Sequence, residues 1–253
     1  MQIERNHFNQ EAEHYPEEIG EAHAQAMKWE LVARHSTPGM LAADVGAASG
    51  RHAIPLAKSG ATVLALDLSI DMLAKLRQRG QSTGLSGNLF AAAAALPDLP
   101  LRARSFDLIY CFSTMLLLPH EQQQKALHCM ASALRPGGSM IVDLAGGRSL
   151  ALSYWHRFYR RLGFAGIHGW TLPEVHTLIT QTGLSLKAIQ PHGVLSQFLL
   201  LPGATRIPGL EALIRGNRDH AGLDARVSDL LPSLAERWYV VARRSETQRG
   251  EQE

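Results

Sequence analysis

Two aspartates bracket a turn built of small residues. Asp44-Val45-Gly46-Ala47-Ala48-Ser49-Gly50 closes one apolar run, and Asp67 ends the next, 21 residues after Gly46. Small residues let a backbone approach a ligand closely, and a helix starting just beyond offers free N–H groups. An acidic side chain at the end of the second strand can hydrogen-bond both hydroxyls of a ribose. A dinucleotide loop would read G-x-G-x-x-G. Here the spacing is G-x-A-x-G, with an aspartate two residues before the first glycine. That acid sits badly beside a pyrophosphate and well beside an amino group. The ligand read from these residues is a nucleoside with a positive amino end and no phosphates. A structural turn with no ligand would use the same residue types. A nicotinamide oxidoreductase is the cross-family alternative, and the loop register disfavours it.

These residues need strands ending at one edge of a sheet. Apolar runs at 40–46, 61–67, 88–94, 105–112 and 139–145 alternate with helical patterns. Strand–helix alternation at this spacing implies βαβ crossovers and a mostly parallel sheet. The runs lack polar alternation, as expected when helices cover both faces. A helix continues from 51 to 58, and Ser69 caps another in which Met72, Leu73 and Leu76 share a face before Gly80. A third places Leu127, Met130 and Leu134 on one face and stops at Pro136-Gly137-Gly138. Residues 1–36 read as a helical cap whose charges, Lys28 among them, form a solvated face. Thr171 and Glu174 fit a capping box. A strand is expected at 185–190 and a last one at 237–244, next to the edge or antiparallel. The tail, 245–253, is expected to be disordered.

Composition narrows the class. The 253 residues are 45% hydrophobic and 19% charged, which supports a packed core rather than disorder. A net charge of +2 is too mild to make nucleic acid the main partner. Two cysteines, Cys111 and Cys129, make neither a disulfide framework nor a metal cluster, so no metal is expected and the compartment reads as reducing and cytoplasmic. The N-terminus lacks an apolar secretory core, and no apolar run approaches the ~20 residues of a membrane span.

The ordered set of motifs resembles the class I S-adenosylmethionine-dependent methyltransferases, of the small-molecule, ubiquinone-methylase-like (methyltransferase type 11) kind. Residues 44–50 resemble that family's D-x-G-x-G-x-G loop, with Ala48 in place of the middle glycine. GRHAIPLAKSGATVLALDLSIDML (50–73), LPLRARSFDLIYC (99–111), LRPGG (134–138) and the N-terminal HFNQEAEHY (7–15) follow in register. Two positions depart: Ala94-Ala95 stands where the family has an acid for the adenine amino group, and Pro119 precedes His120 where a histidine is usual.

The resemblance implies an α/β, Rossmann-like, doubly wound seven-stranded sheet of order 3-2-1-4-5-7-6 with the last strand antiparallel. It implies an N-terminal cap (1–36) and a cofactor domain (37–244) with lid insertions at 148–170 and 200–232. The cofactor would be S-adenosyl-L-methionine. Gly46, Ala48 and Gly50 would hold its methionine part, with Asp44 near the amino group and Asp67 at the ribose. Leu68 and Met72 would lie along the adenine faces, Ala95 and Leu96 would offer backbone to it, and Ser113 would face the sulfonium. Met72 at helical spacing is equally a core residue.

The activity implied is transfer of the sulfonium methyl to O, N or C of a small metabolite, a natural-product or quinone-type acceptor. The acceptor pocket would draw on Tyr15, His120, Tyr154, His156, His168 and Trp170, with Tyr15, His120 and His168 as the catalytic candidates. Intramolecular cyclisation of the cofactor's aminobutyryl arm, or a nonenzymatic cofactor-binding scaffold, would use the same loop. No N-P-P-Y or D-P-P-Y string follows strand four, which argues against nucleic-acid bases as acceptors.

Overall fold

Each apolar run pairs with a neighbour to build one sheet. The computed structural model describes residues 2–20, 23–217 and 219–246. Its strands are β1 (Leu41–Val45), β2 (Thr62–Asp67), β3 (Leu89–Ala93), β4 (Phe106–Cys111), β5 (Leu134–Gly146), β6 (Gly169–Trp170), β7 (Leu184–His192) and β8 (Arg237–Arg244). The order is β3-β2-β1-β4-β5-β8-β7, with β6 added on β5. Strands β1 to β5 pair in parallel, and β8 runs antiparallel between β5 and β7. With β6 set aside, this is the expected seven-stranded order with the chain's last strand reversed. The extra β6 is two residues long, too short to carry a period that a sequence reading could detect.

Helices cover both faces. They are α1 (Gln2–Glu11), α2 (His23–Arg34), α3 (Ala53–Lys58), α4 (Ile70–Ser82), α5 (His120–Ala133), α6 (Leu152–Arg161), α7 (Leu172–Gln181), α8 (Leu210–Arg215) and α9 (Leu223–Leu230). Successive strand residues point to opposite faces. Ala42, Val63, Leu108, Ile141 and Val241 therefore pack with Leu31, Val32, Ile54 and Leu56 of α2 and α3. Ala43, Val45, Ile109, Val142 and Val240 pack with Leu127 and Met130 of α5 and Val175, Leu178 and Ile179 of α7. All six residues of the central β4 are buried. Among the described residues no helix is long and apolar enough to cross a membrane.

Three sequence readings are corrected. Leu134 does not extend α5: the helix ends at Ala133 and Leu134 opens β5, paired with Phe106. The glycines that looked like a stop lie inside this strand, where a Cβ at Gly138 would approach the Phe106 and Arg135 carbonyls at 2.9 Å. In the N-terminal cap an irregular strap, residues 12–20, follows α1. Lys28 is not on a solvated face; it is 6% exposed. The reading of 245–253 as disordered lies, for 247–253, outside the described residues, while Glu246 pairs with Arg243 at 2.7 Å.

The two expected caps form. Glu174 accepts from both the backbone N–H and the hydroxyl of Thr171 at 2.7 Å. Ser69 accepts the Met72 N–H at 3.1 Å and donates its own proton to Asn9 of α1 at 2.7 Å. Because Ser69 is fully buried, Ser69→Ala removes a cap and strands the Asn9 acceptor. Loss of about 1 kcal/mol and of roughly 2–4 °C in Tm is expected from a thermal melt, with Ser69→Thr, which keeps the hydroxyl, closer to wild type.

Candidate functional site

The strand ends converge on a cavity of about 580 Å³. Such a volume suits a small organic ligand or cofactor. One end is walled by Asp67, Leu68 and Met72 and by the 94–99 segment that follows β3. Gly46 and Ala48 form its middle, and Phe112, Ser113 and Thr114, just beyond β4, form the far end. Phe8 of α1, Tyr15 of the strap, and Phe164 and Ala165 after α6 roof it.

The Gly46 turn needs left-handed backbone. Gly46 has φ 76°, and a Cβ there would overlap the Thr114 side chain. Ala48, at φ 47°, adopts the same region despite its side chain. Its N–H is thereby aimed at Asp67 Oδ2, at 2.8 Å. Asp67 Oδ1 accepts the Ser69 N–H, also at 2.8 Å. Burial raises the Asp67 pKa, and these N–H groups act against that rise. Each oxygen keeps a second lone pair for a ligand hydroxyl.

Asp44 lies beneath the turn, 3% exposed, and is not part of the cavity wall. The buried Tyr110 hydroxyl and the Ala53 N–H are its neighbours, and their hydrogen bonds favour its ionised form. Burial pushes the Asp44 pKa up to about 8. Gly50 also stands back from the cavity: at φ 88° it packs against Ile54 and Leu76. Of the ten cofactor candidates, Gly46, Ala48, Asp67, Leu68, Met72, Ala95, Leu96 and Ser113 line one cavity.

The catalytic candidates divide. Tyr15 is in the roof, its ring 5.3 Å from the Arg51 guanidinium, and burial raises its pKa. His120 and His168 are not in the wall. Their Nε2 atoms meet the Gly169 and Ala165 carbonyls at 2.9 and 3.2 Å, and His120 lies against Trp170. Trp170 is buried and donates to Gln123, His156 meets the Ile167 carbonyl, and Tyr154 is exposed. None of these three lines the cavity.

The roof is tied down by arginines. Arg51 donates to the Pro16 carbonyl at 3.0 Å, and Arg79 to the Ser49 and Glu17 carbonyls at 2.6 and 3.0 Å. Phe8 and Phe164 meet edge to face at 5.8 Å, so α1 and the segment after α6 close on each other.

At the far end lies a charged cluster that the sequence reading passed over. Ser113, at φ 57°, accepts from Lys28 Nζ at 3.0 Å and from Arg237 Nη1 at 2.9 Å. Its backbone N–H donates to Asp143 Oδ1 at 2.7 Å, and Arg237 donates to Asp143 Oδ2 at 3.1 Å. Asp143 is fully buried. Lys28 sits over the Phe112 and Tyr239 rings at 5.7 and 5.9 Å, and burial lowers its pKa to about 8. A signal was present: Lys28 stands three and four residues before the apolar Leu31 and Val32, and so shares their helix face.

Residues 42–138 match the family model described as a methyltransferase domain. The methyltransferase GfsG of Streptomyces halstedii is 36% identical over 100 residues, 39% of this chain and 35% of that protein. An uncharacterized protein of Mycobacterium tuberculosis is 32% identical over 105 residues, 42% of this chain and 37% of its own. The chain thus spans little more than a third of the length of these curated relatives. Among solved structures, the [4+2]-cyclase SpnF superposes with a TM-score of 0.66 at 14% identity, covering 97% of this chain and 94% of that one. Magnesium protoporphyrin IX methyltransferase from Synechocystis PCC 6803, with bound S-adenosylhomocysteine, gives 0.61 at 17% identity, covering 96% and 99%.

Proposed function

We propose that this chain carries a class I S-adenosylmethionine-dependent methyltransferase domain and methylates a small acceptor molecule bound beside Ser113. The observation that carries the reading is the single cavity running from the Asp67 carboxylate to Ser113. Its residues fit the cofactor. Asp67 has lone pairs for the ribose hydroxyls, and Leu68, Met72 and Leu96 are apolar walls for adenine, with Ala95 backbone at its edge. Gly46 and Ala48 admit the amino-acid arm, and the buried Asp44 carboxyl lies beneath it.

When bound, the cofactor supplies an activated methyl on a sulfonium. The chain's own part is alignment and exclusion of water. Positioning of this kind is worth up to roughly 7–11 kcal/mol in ideal cases. The Phe8–Phe164 contact and the strap roof the cavity. Residues 1–36 serve as the cap and 37–244 as the catalytic unit. The two free thiols suit a reducing, cytoplasmic compartment. Calorimetric titration with S-adenosylmethionine and S-adenosylhomocysteine tests the reading; no binding below millimolar ends it. Intramolecular cyclisation of the cofactor's aminobutyryl arm would use the same cavity; mass spectrometry for a methylated product, as against methylthioadenosine, separates the two.

The Asp44 shift sets a pH dependence. Its carboxyl moves from the ordinary 3.8 to about 8, because burial disfavours the charge. A ligand ammonium nearby favours the ionised form, so binding releases a proton. Affinity for S-adenosylhomocysteine should rise between pH 6 and 8 by roughly tenfold per pH unit at most, and Asp44→Asn should flatten the profile. In the ligand-free protein the sign is opposite. A raised folded pKa makes this contribution to stability complete below pH 3.8 and lost as pH rises through about 8.

A further inference from the structure

A serine hydroxyl has two lone pairs and one proton. In Ser113 both lone pairs are taken by cationic donors, Lys28 Nζ at 3.0 Å and Arg237 Nη1 at 2.9 Å. Its proton has only a marginal partner, Asp143 Oδ2 at 3.5 Å. That oxygen also accepts from Arg237, at 3.1 Å. Ser113 therefore holds its proton in a long hydrogen bond that a closer acceptor in the cavity would displace, and it lines that cavity. Its left-handed backbone, at φ 57°, is a strained arrangement of the kind that persists where surrounding structure holds a functional group in place. Two positive charges behind a hydroxyl make the hydrogen bond it offers charge-assisted, which selects an anionic oxygen over a neutral one.

We propose that Ser113, backed by Lys28 and Arg237, is a subsite for an ionised oxygen of the acceptor: a phenolate, an enolate or a carboxylate. The inference rests on the methyl-transfer reading and names the acceptor class for it. Glu4 and Tyr15 line the same cavity and no histidine does among the described residues; an oxygen bound as its anion needs no separate base to prepare it.

The surroundings leave the two cations in charge of this end. Asp143 of β5 is one carboxylate shared between them. Glu236 lies 3.9 Å from Arg237 Nε, whereas Ser113 and Asp143 are held by Nη1. Arg51 adds a further positive field at Lys28. Burial lowers the pKa of His52 to about 3 and of His192, against Asp224, to about 4, so both are neutral near pH 7. Tyr239, under Lys28, has its pKa raised by burial and is neutral as well.

The probe is 4-nitrophenol, whose anion is visible by absorbance, titrated over pH in the presence of saturating S-adenosylhomocysteine. The protein-bound probe is expected to ionise about tenfold more readily than the free compound. Lys28→Met should abolish that gain, and Ser113→Ala, which keeps both cations, should weaken probe binding. Melting curves identify any variant that fails to fold, and the wild-type titration needs no variant. Bound probe ionising as it does in solution, or no bound probe in a protein that binds S-adenosylhomocysteine, overturns the proposal. A loss of S-adenosylhomocysteine affinity in Lys28→Met with the probe shift intact also overturns it, by moving the anionic oxygen to the cofactor's own carboxylate. Absence of S-adenosylhomocysteine binding in the wild type instead defeats the methyltransferase reading itself.

Discussion

Asp143→Ala is expected to cost about 3–5 kcal/mol, the range for removing one partner of a buried ion pair. For a chain of this size that is a Tm roughly 6–20 °C lower. The carboxylate is fully buried, and it holds the Ser113 N–H at 2.7 Å and Arg237 at 3.1 Å while offsetting the charge of Lys28. Without it, two cations share a site with no anion between them, and a backbone N–H at a strained residue loses its acceptor. Asp143→Asn keeps an acceptor for that N–H and should lose less. Lys28 supplies an internal check. Its folded pKa is lowered from 10.5 to about 8, so the folded state holds fewer protons than the unfolded one between those values, and stability rises with pH across that window. The rise should be steeper in Asp143→Ala, where nothing offsets the ammonium. Equilibrium denaturation at pH 7 and pH 9.5 measures both. Wild-type stability in the alanine variant would mean that the cluster is solvated rather than buried.

The parts of this site that local sequence could reveal are those determined by local geometry. A turn of glycine and alanine after an apolar run, an acid ending the next run, and a serine capping the next helix each depend on a few neighbouring residues. Asp44, Gly46, Asp67 and Ser69 were legible for that reason. The strand order was legible from the resemblance and the alternation of elements. The charged cluster was not, because Lys28, Ser113, Asp143 and Arg237 come from four distant segments: the pairing of β4, β5 and β8 sets the last three side by side, and the packing of α2 over Phe112 and Tyr239 adds Lys28. His120 and His168 show the converse. Their residue type suggested chemistry, and the fold sets both outside the cavity wall with the Nε2 of each against a backbone carbonyl of the segment before α7. Asp44 falls between these cases: its position was foreseen, but its burial beneath the turn, and the raised pKa that follows, belong to packing.

Asp67→Ala should weaken S-adenosylhomocysteine binding by about 100-fold or more. A hydrogen bond to a charged group contributes about 1.5–3 kcal/mol, and a ribose diol would make two. The same substitution frees the Ala48 and Ser69 N–H groups, each now held at 2.8 Å, and loosens the turn beneath the ligand. Asp67→Asn keeps the shape and one acceptor oxygen, and about tenfold is expected. A ligand that shares the ribose but lacks the amino acid, methylthioadenosine, separates the two aspartates. Its affinity should fall with Asp67→Ala nearly as far as that of S-adenosylhomocysteine. Asp44→Asn should leave it unchanged, because Asp44 would answer only to the missing ammonium. Calorimetry with two ligands and two variants closes this cycle. Equal losses for both ligands in Asp44→Asn would show that Asp44 supports the turn rather than the amino group, and unchanged affinities in Asp67→Ala would remove the ribose from this carboxylate.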